Sequence, residues 1–212
     1  MTTEGRFSDA FSDFPSKIEN EVIAHGEHAI VLPTLGMIVP NWFLIIPQAH
    51  SINFAQQSSE VHKELPAIVS SIFDLVSKPG DEVLIFEHGA LRVGSNIGCG
   101  VDHAHLHVIV ANSKFISKAW GGIESEMGAR QSACNVVDMY SSINNSEPYY
   151  FAWRAGRMLL EQPATKEISQ RLRRVIAFAA GVPDEWNYRD HPFYNNIAST
   201  IANFHIRKRL AA

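Results

Sequence analysis

Three of the ten histidines in this 212-residue chain fall within five positions, in the run His103-Ala104-His105-Leu106-His107. At this composition an alternating run of that kind arises by chance in about two chains in a hundred, so three imidazoles at this spacing need a reason. The apolar residues among them predict a strand from His103 to Ala111. Alternate residues of a strand share a face, so His103, His105 and His107 would project together while Ala104, Leu106 and Val108 face the other way.

Such a cluster suits two chemistries. One is metal binding, since neutral imidazole is a common ligand and closely set histidines suit zinc or iron. Against it, no carboxylate follows at a convenient spacing in His107-Val-Ile-Val-Ala-Asn112, and the barrel hydrolases that open with His-x-His use roughly 250 residues for the barrel alone. The other is covalent catalysis on phosphorus. A neutral imidazole is a competent nucleophile when a carbonyl holds its second nitrogen as a donor, because that fixes the tautomer and aims the lone pair. Flanking histidines can bind the phosphoryl oxygens, and the loop Gly94-Ser-Asn-Ile-Gly-Cys-Gly100 just upstream offers backbone N–H groups to the same anion.

These residues need a frame. Ala29-Ile-Val-Leu-Pro-Thr-Leu35 and Trp42-Phe-Leu-Ile-Ile-Pro47, joined through a turn at Gly36, predict two adjacent antiparallel strands. Val61, Leu65, Ile68, Ile72 and Leu75 recur at helical spacing from Ser59 to Ser77, and Pro79-Gly80 ends that pattern. Glu82 to His88 predicts the strand preceding the glycine loop. The order ββ, helix, ββ implies an α+β domain in which helices cover one face of an antiparallel sheet. Beyond Asn112 the pattern weakens, and Trp120 to Ser146 takes no clear assignment. Pro148 to Trp153 predicts a strand, Thr165 to Ala180 a helix capped by Thr165, and Phe193 to Arg209 a last helix. The expected organisation is an arm over 1–20, a domain over 21–111 carrying the histidines, and a mostly helical carboxy-terminal extension over 112–212.

The run Gly98-Cys-Gly-Val-Asp-His-Ala-His-Leu-His-Val-Ile109 resembles the signature of the histidine triad family, including its preceding small-residue loop. Ile30 to His50 is similar to that family's strand-turn-strand that holds the nucleoside, and Ile85 to Gly89 to its third strand. The resemblance covers about Glu21 to Ala111. It implies that His105 is a nucleophile forming a nucleotidyl-histidine intermediate, with His107 on the phosphate and His103 orienting the site. It also implies that Leu32, Thr34 and Leu44 line base and ribose, and that the backbone of Cys99 and Gly100 meets the phosphate, with Asn96 of the same loop counted among the substrate-binding residues. The implied activity is hydrolysis or nucleotidyl transfer on a nucleoside 5′-phosphate derivative, without cofactor or metal. A non-catalytic nucleotide-binding module is the alternative.

Two departures stand out. Asn41-Trp42 occupies a place where many members have Gly-His and use a fourth imidazole, and Glu87 occupies one where several have Asn or Gln; a carboxylate there would repel phosphate unless neutralised or turned away. The amino terminus lacks the paired cysteines that bind zinc in some relatives. The tail, with Ser169-Gln-Arg-Leu-Arg-Arg-Val175 and Gly181-Val-Pro-Asp-Glu-Trp186, is faintly similar to those of larger triad relatives such as dinucleoside polyphosphate phosphorylases.

Composition narrows the partners. Eighteen basic and 22 acidic residues give a formal charge of −4, which argues against a surface devoted to long nucleic acids. Met1 to Pro15, with Phe7, Phe11 and Phe14 among polar residues, lacks the apolar core of a secretory signal, and the two cysteines, Cys99 and Cys134, form no redox or zinc pair. The expectation is a cytoplasmic protein acting on a small nucleotide away from membranes, with a homodimer suggested by the family's habit. Arg171, Arg173 and Arg174 are expected on a solvated helix face. His25, His28, His62, His191 and His205 are expected to be ordinary surface or packing residues, and His50 and His88 to support the site.

Overall fold

A computed structural model describes residues 17–98, 100–129 and 131–211. The arm over 1–20 lies mostly outside the described residues, as does Cys99. Eight strands form one antiparallel sheet: β1 (Ala24–His25), β2 (Ala29–Pro33), β3 (Trp42–Pro47), β4 (Asp81–Gly89), β5 (Leu106–Asn112), β6 (Gln131–Ala133), β7 (Tyr149–Arg154) and β8 (Arg157–Glu161), in the order β1-β2-β3-β5-β4-β7-β8-β6. Among the described residues four α-helices accompany it: α1 (Ser59–Val76), α2 (Ser113–Met127), α3 (Arg171–Ala180) and α4 (Tyr194–Ala211). The fold is α+β, and no helix among the described residues is long and apolar enough to cross a membrane.

Register fixes what shares a face. Leu32 pairs with Leu44, Leu44 with His107, His107 with Phe86 and Phe86 with Ala152, so these five side chains lie in one row on one face. The opposite face carries Val31, Phe43, Ile45, Val108, Ile85 and Phe151. Every residue of β2 and β3 is buried. That is why helices cover both faces rather than the expected one. On the Phe43 side sit α1, whose His62 stacks on Tyr140, itself edge-on to Phe151, and α4, whose Phe204 packs on Phe43. On the His107 side α3 approaches β4, with the Leu172 N–H donating to His88 Nε2 at 3.1 Å, and Ser117 of α2 receives Arg154 of β7 at 2.9 Å. An uninterrupted apolar run such as Trp42-Phe-Leu-Ile-Ile is the mark of a strand buried on both sides.

Two boundaries differ from expectation. Regular pairing of β5 begins at Leu106, three residues later than His103, because the chain at Ala104 leaves β3 and bonds instead to the Ser51 carbonyl at 2.8 Å. The helix expected from Thr165 begins only at Arg171. The preceding residues are tied to the sheet: Thr165 N and Oγ1 both donate to Glu161, and the Tyr150 hydroxyl meets the backbone of Lys166 and Ile168. The unassigned stretch from Trp120 holds most of α2 and then the short strand β6. Residues beyond Asn112 thus add β6, β7 and β8 to the same sheet, with β7 pairing directly along β4.

Candidate active site

His107 is the second residue of β5 and is fully enclosed. Its ring stacks on Phe86 at 4.5 Å between centroids and meets His88 and His105 edge-on at 5.8 and 5.1 Å. The indole N–H of Trp42 donates to Nδ1 of His107 at 3.1 Å. An indole nitrogen can only donate, so Nδ1 of His107 is the bare nitrogen and its proton sits on Nε2. Burial, reinforced by His105, His88 and Arg173, holds its pKa well below the ordinary 6.5, so the ring is neutral. Its Nε2–H is buried without a hydrogen-bond partner among the described residues, and a buried donor left so costs about 1–3 kcal/mol.

His105 carries the opposite tautomer. Its Nδ1 lies 2.9 Å from the His103 carbonyl oxygen. A carbonyl can only accept, so Nδ1 bears the proton and, in the neutral ring, Nε2 bears the lone pair. Ala104 and Leu106 pack into the main core, and this alternation turns His105 and His107 to the same face even though pairing starts only at Leu106. His103 is oriented differently. Its Nε2 donates to the Pro47 carbonyl at 2.9 Å and its ring lies edge-on to His50 at 5.1 Å, while His50 donates to the Asp102 carbonyl at 2.8 Å. Burial lowers the pKa of His103, with a smaller opposing effect from the Pro47 bond. His103 thus braces the backbone carbonyl that fixes His105. Among the described residues no group of three His, Cys, Asp or Glu converges as a metal site.

Beside the imidazoles lies a small apolar patch of Ile30, Leu32, Leu44, Ile46 and Val101. Leu32 and Leu44 are thus brought into the row of His107, and Val101 ties the glycine loop to them. Thr34 is buried beyond Leu32 and bonds to Arg173 Nη1 at 3.4 Å. Gly100 adopts φ +72°, a conformation that suits glycine. Asn96 is exposed on the loop.

Both departures from the triad pattern have structural answers. Glu87 points to the opposite face, where it accepts from Phe54 N at 2.8 Å, Tyr140 Oη at 2.9 Å and Tyr149 Oη at 2.6 Å. Trp42 sets the tautomer of His107. Two of the three arginines of α3 contradict the expected solvated face: Arg171 and Arg173 are each only 2% exposed, whereas Arg174 is exposed as expected. Arg171 bonds to Glu126 at 3.0 Å and Glu161 at 2.6 Å. Arg173 lies over the Trp42 ring at 4.5 Å, donates to the Gly36 carbonyl and to Thr34, and so enters the site from the tail. No local sequence signal marked it, because the helix keeps its amphipathic pattern through Arg171 and Arg173. His88, also buried, accepts the Leu172 N–H and backs His107. No protein-family model matches this chain, and no curated protein matches it.

Proposed function

We propose that this protein is a nucleotide hydrolase or nucleotidyltransferase of the histidine triad kind, cleaving a nucleoside 5′-phosphate derivative through a covalent intermediate on His105. The observation that carries this reading is the pair of opposite tautomers, a lone pair on His105 Nε2 beside a buried N–H on His107 Nε2. A nucleophile and an electrophile-stabilising donor side by side are what phosphoryl substitution needs. Nε2 of His105 attacks the α-phosphorus and an N–P bond forms. The bond to the leaving group breaks, and its electron pair departs with that group. His107 donates to a non-bridging oxygen, gaining the partner it lacks. Water or another acceptor then attacks the same phosphorus and returns the N–P pair to His105. The Leu32 and Leu44 patch would hold the nucleoside, and the N–H groups of the loop ending at Gly100 would face the phosphate.

The substrate in this reading is a small nucleotide met in the cytoplasm, by a monomer or a homodimer. Turnover of adenosine 5′-phosphoramidate and diadenosine polyphosphates by wild type and His105→Asn tests it. Loss of turnover with an unchanged melting temperature is expected. Full turnover by the variant, with wild type active, would remove His105 from the chemistry.

A further inference from the structure

The tail does more than pack. Residues 186–192 run between the turn at Gly36 and the glycine loop at Gly100, and they are held at several points. Asn187 takes the Gln170 side-chain amide at 3.2 Å on the same oxygen that receives Arg189 N, and the Asn187 carbonyl receives the Asp190 and His191 N–H groups. Gly36 N donates to the Pro192 carbonyl at 3.0 Å, and Tyr188 lies so close to Gly36 that a Cβ there would stand 2.5 Å from its own. This anchored strap carries Arg189, which stacks on the Tyr188 ring at 4.8 Å and reaches the glycine loop: its Nη2 lies 2.7 Å from where a Cβ on Gly100 would be. Gly100 is joined to Val101, a member of the apolar patch, and lies five residues before His105. An exposed guanidinium is thereby held against Tyr188 at the rim of the loop, on a chain whose net charge is −4.

We propose that Arg189 is a specificity-determining residue that receives a second anionic group beyond the α-phosphate, so that the site takes phosphoanhydrides of nucleosides ahead of 5′-phosphoramidates. This rests on the function proposed above. A guanidinium binds phosphate oxygens through paired, charge-assisted hydrogen bonds, and a fixed one loses little freedom in doing so. Trp42 points the same way. Its N–H is given to His107 and does not titrate, so it cannot hand a proton to a departing amine. A phosphate leaving group departs with the P–O bonding pair as a stable anion and requires no proton.

Calorimetry with ADP and AMP on the His105→Asn background separates the ideas, with and without Arg189→Ala and Arg189→Lys. The expected result is an ADP preference over AMP of about tenfold or more, as for one charge-assisted bond, collapsing to within about threefold in Arg189→Ala and partly kept in Arg189→Lys. Equal affinity for the two nucleotides in the parent, or an equal loss of both in Arg189→Ala, would overturn the role of Arg189 while leaving the nucleotide site standing. Binding of neither nucleotide would overturn the functional reading itself.

Discussion

Glu87→Gln isolates one buried carboxyl whose contribution to stability depends on pH. Glu87 is fully enclosed, and the loss of hydration raises its pKa from the ordinary 4.5 to about 7, against the opposing pull of its bonds from Phe54, Tyr149 and Tyr140. Below pH 4.5 the carboxyl is protonated in both folded and unfolded chains. Between 4.5 and 7 the unfolded chain ionises while the folded one stays protonated, so stability falls as pH rises. Above about 7 the loss is complete, and a change from 4.5 to about 7 corresponds to about 3 kcal/mol. Glutamine is neutral at every pH and keeps one carbonyl oxygen for the Phe54 N–H. Its altered bonding with the tyrosines adds an offset that does not change with pH. Buried His88 and His107, whose pKa values lie well below 6.5, act in the other direction by destabilising the fold as pH falls below 6.5. They do so in both proteins and cancel in the difference. Urea unfolding followed by tryptophan fluorescence should therefore show Glu87→Gln gaining on wild type by about 2–3 kcal/mol between pH 5 and pH 8. Parallel stability profiles across that range would refute the assignment of a raised carboxyl to Glu87.

Trp42→Phe keeps an aromatic ring but withdraws the donor from His107 Nδ1; it should cost about 1–3 kcal/mol in chemical denaturation and lower turnover about tenfold or more, with nitrogen NMR of His107 reporting a loss of the single tautomer. Arg171→Ala would remove the ion pairs with half-buried Glu161 and with Glu126 and should cost about 2–4 kcal/mol, whereas a solvated-face arginine would cost about 0.5 or less, so thermal melting separates the two. Gly36→Ala, at φ +71° and with Arg173 Nη2 and Tyr188 Cβ each 2.5 Å from the new methyl, should destabilise by more than about 1 kcal/mol. It should also loosen the 186–192 strap, seen as faster amide hydrogen exchange there; unchanged exchange would mean the strap is not anchored at Gly36.

The triad strand, its glycine loop and the two apolar strands beside it were legible because each depends on local pattern: alternation at Ala104, Leu106 and Val108, and unbroken apolar runs at Ala29–Pro33 and Trp42–Pro47. The same runs carried the sign of a sheet covered on both sides. The late start of α3 was not legible, because Thr165 to Gln170 is drawn from helix by side-chain bonds to Glu161, four residues back, and by Tyr150, sixteen to eighteen residues back on β7, which helix propensity does not reveal. Nor was the face of Glu87, which is settled by the register of β4 against β5 and β7. Arg173 escaped for a related reason: arginine among polar residues reads as solvent-facing until the tail is folded back onto Trp42, 131 positions earlier in the chain. The shared face of His105 and His107 follows from local alternation, although only His107 lies on β5 and His103 turns away to Pro47; what the tail brings to the site is placed only by the fold.

The central claim is that His105 Nε2 becomes bonded to phosphorus. Wild type and His105→Asn would be mixed with a dinucleoside polyphosphate, quenched within the first turnover, and read by intact-protein and peptide mass spectrometry. The expected result is a mass increase of one nucleoside monophosphate residue, acid-labile as phosphoramidates are, located on His105 and missing from the variant. Product release by wild type with no such adduct at any quench time, or an adduct of the same size on another residue, would contradict it.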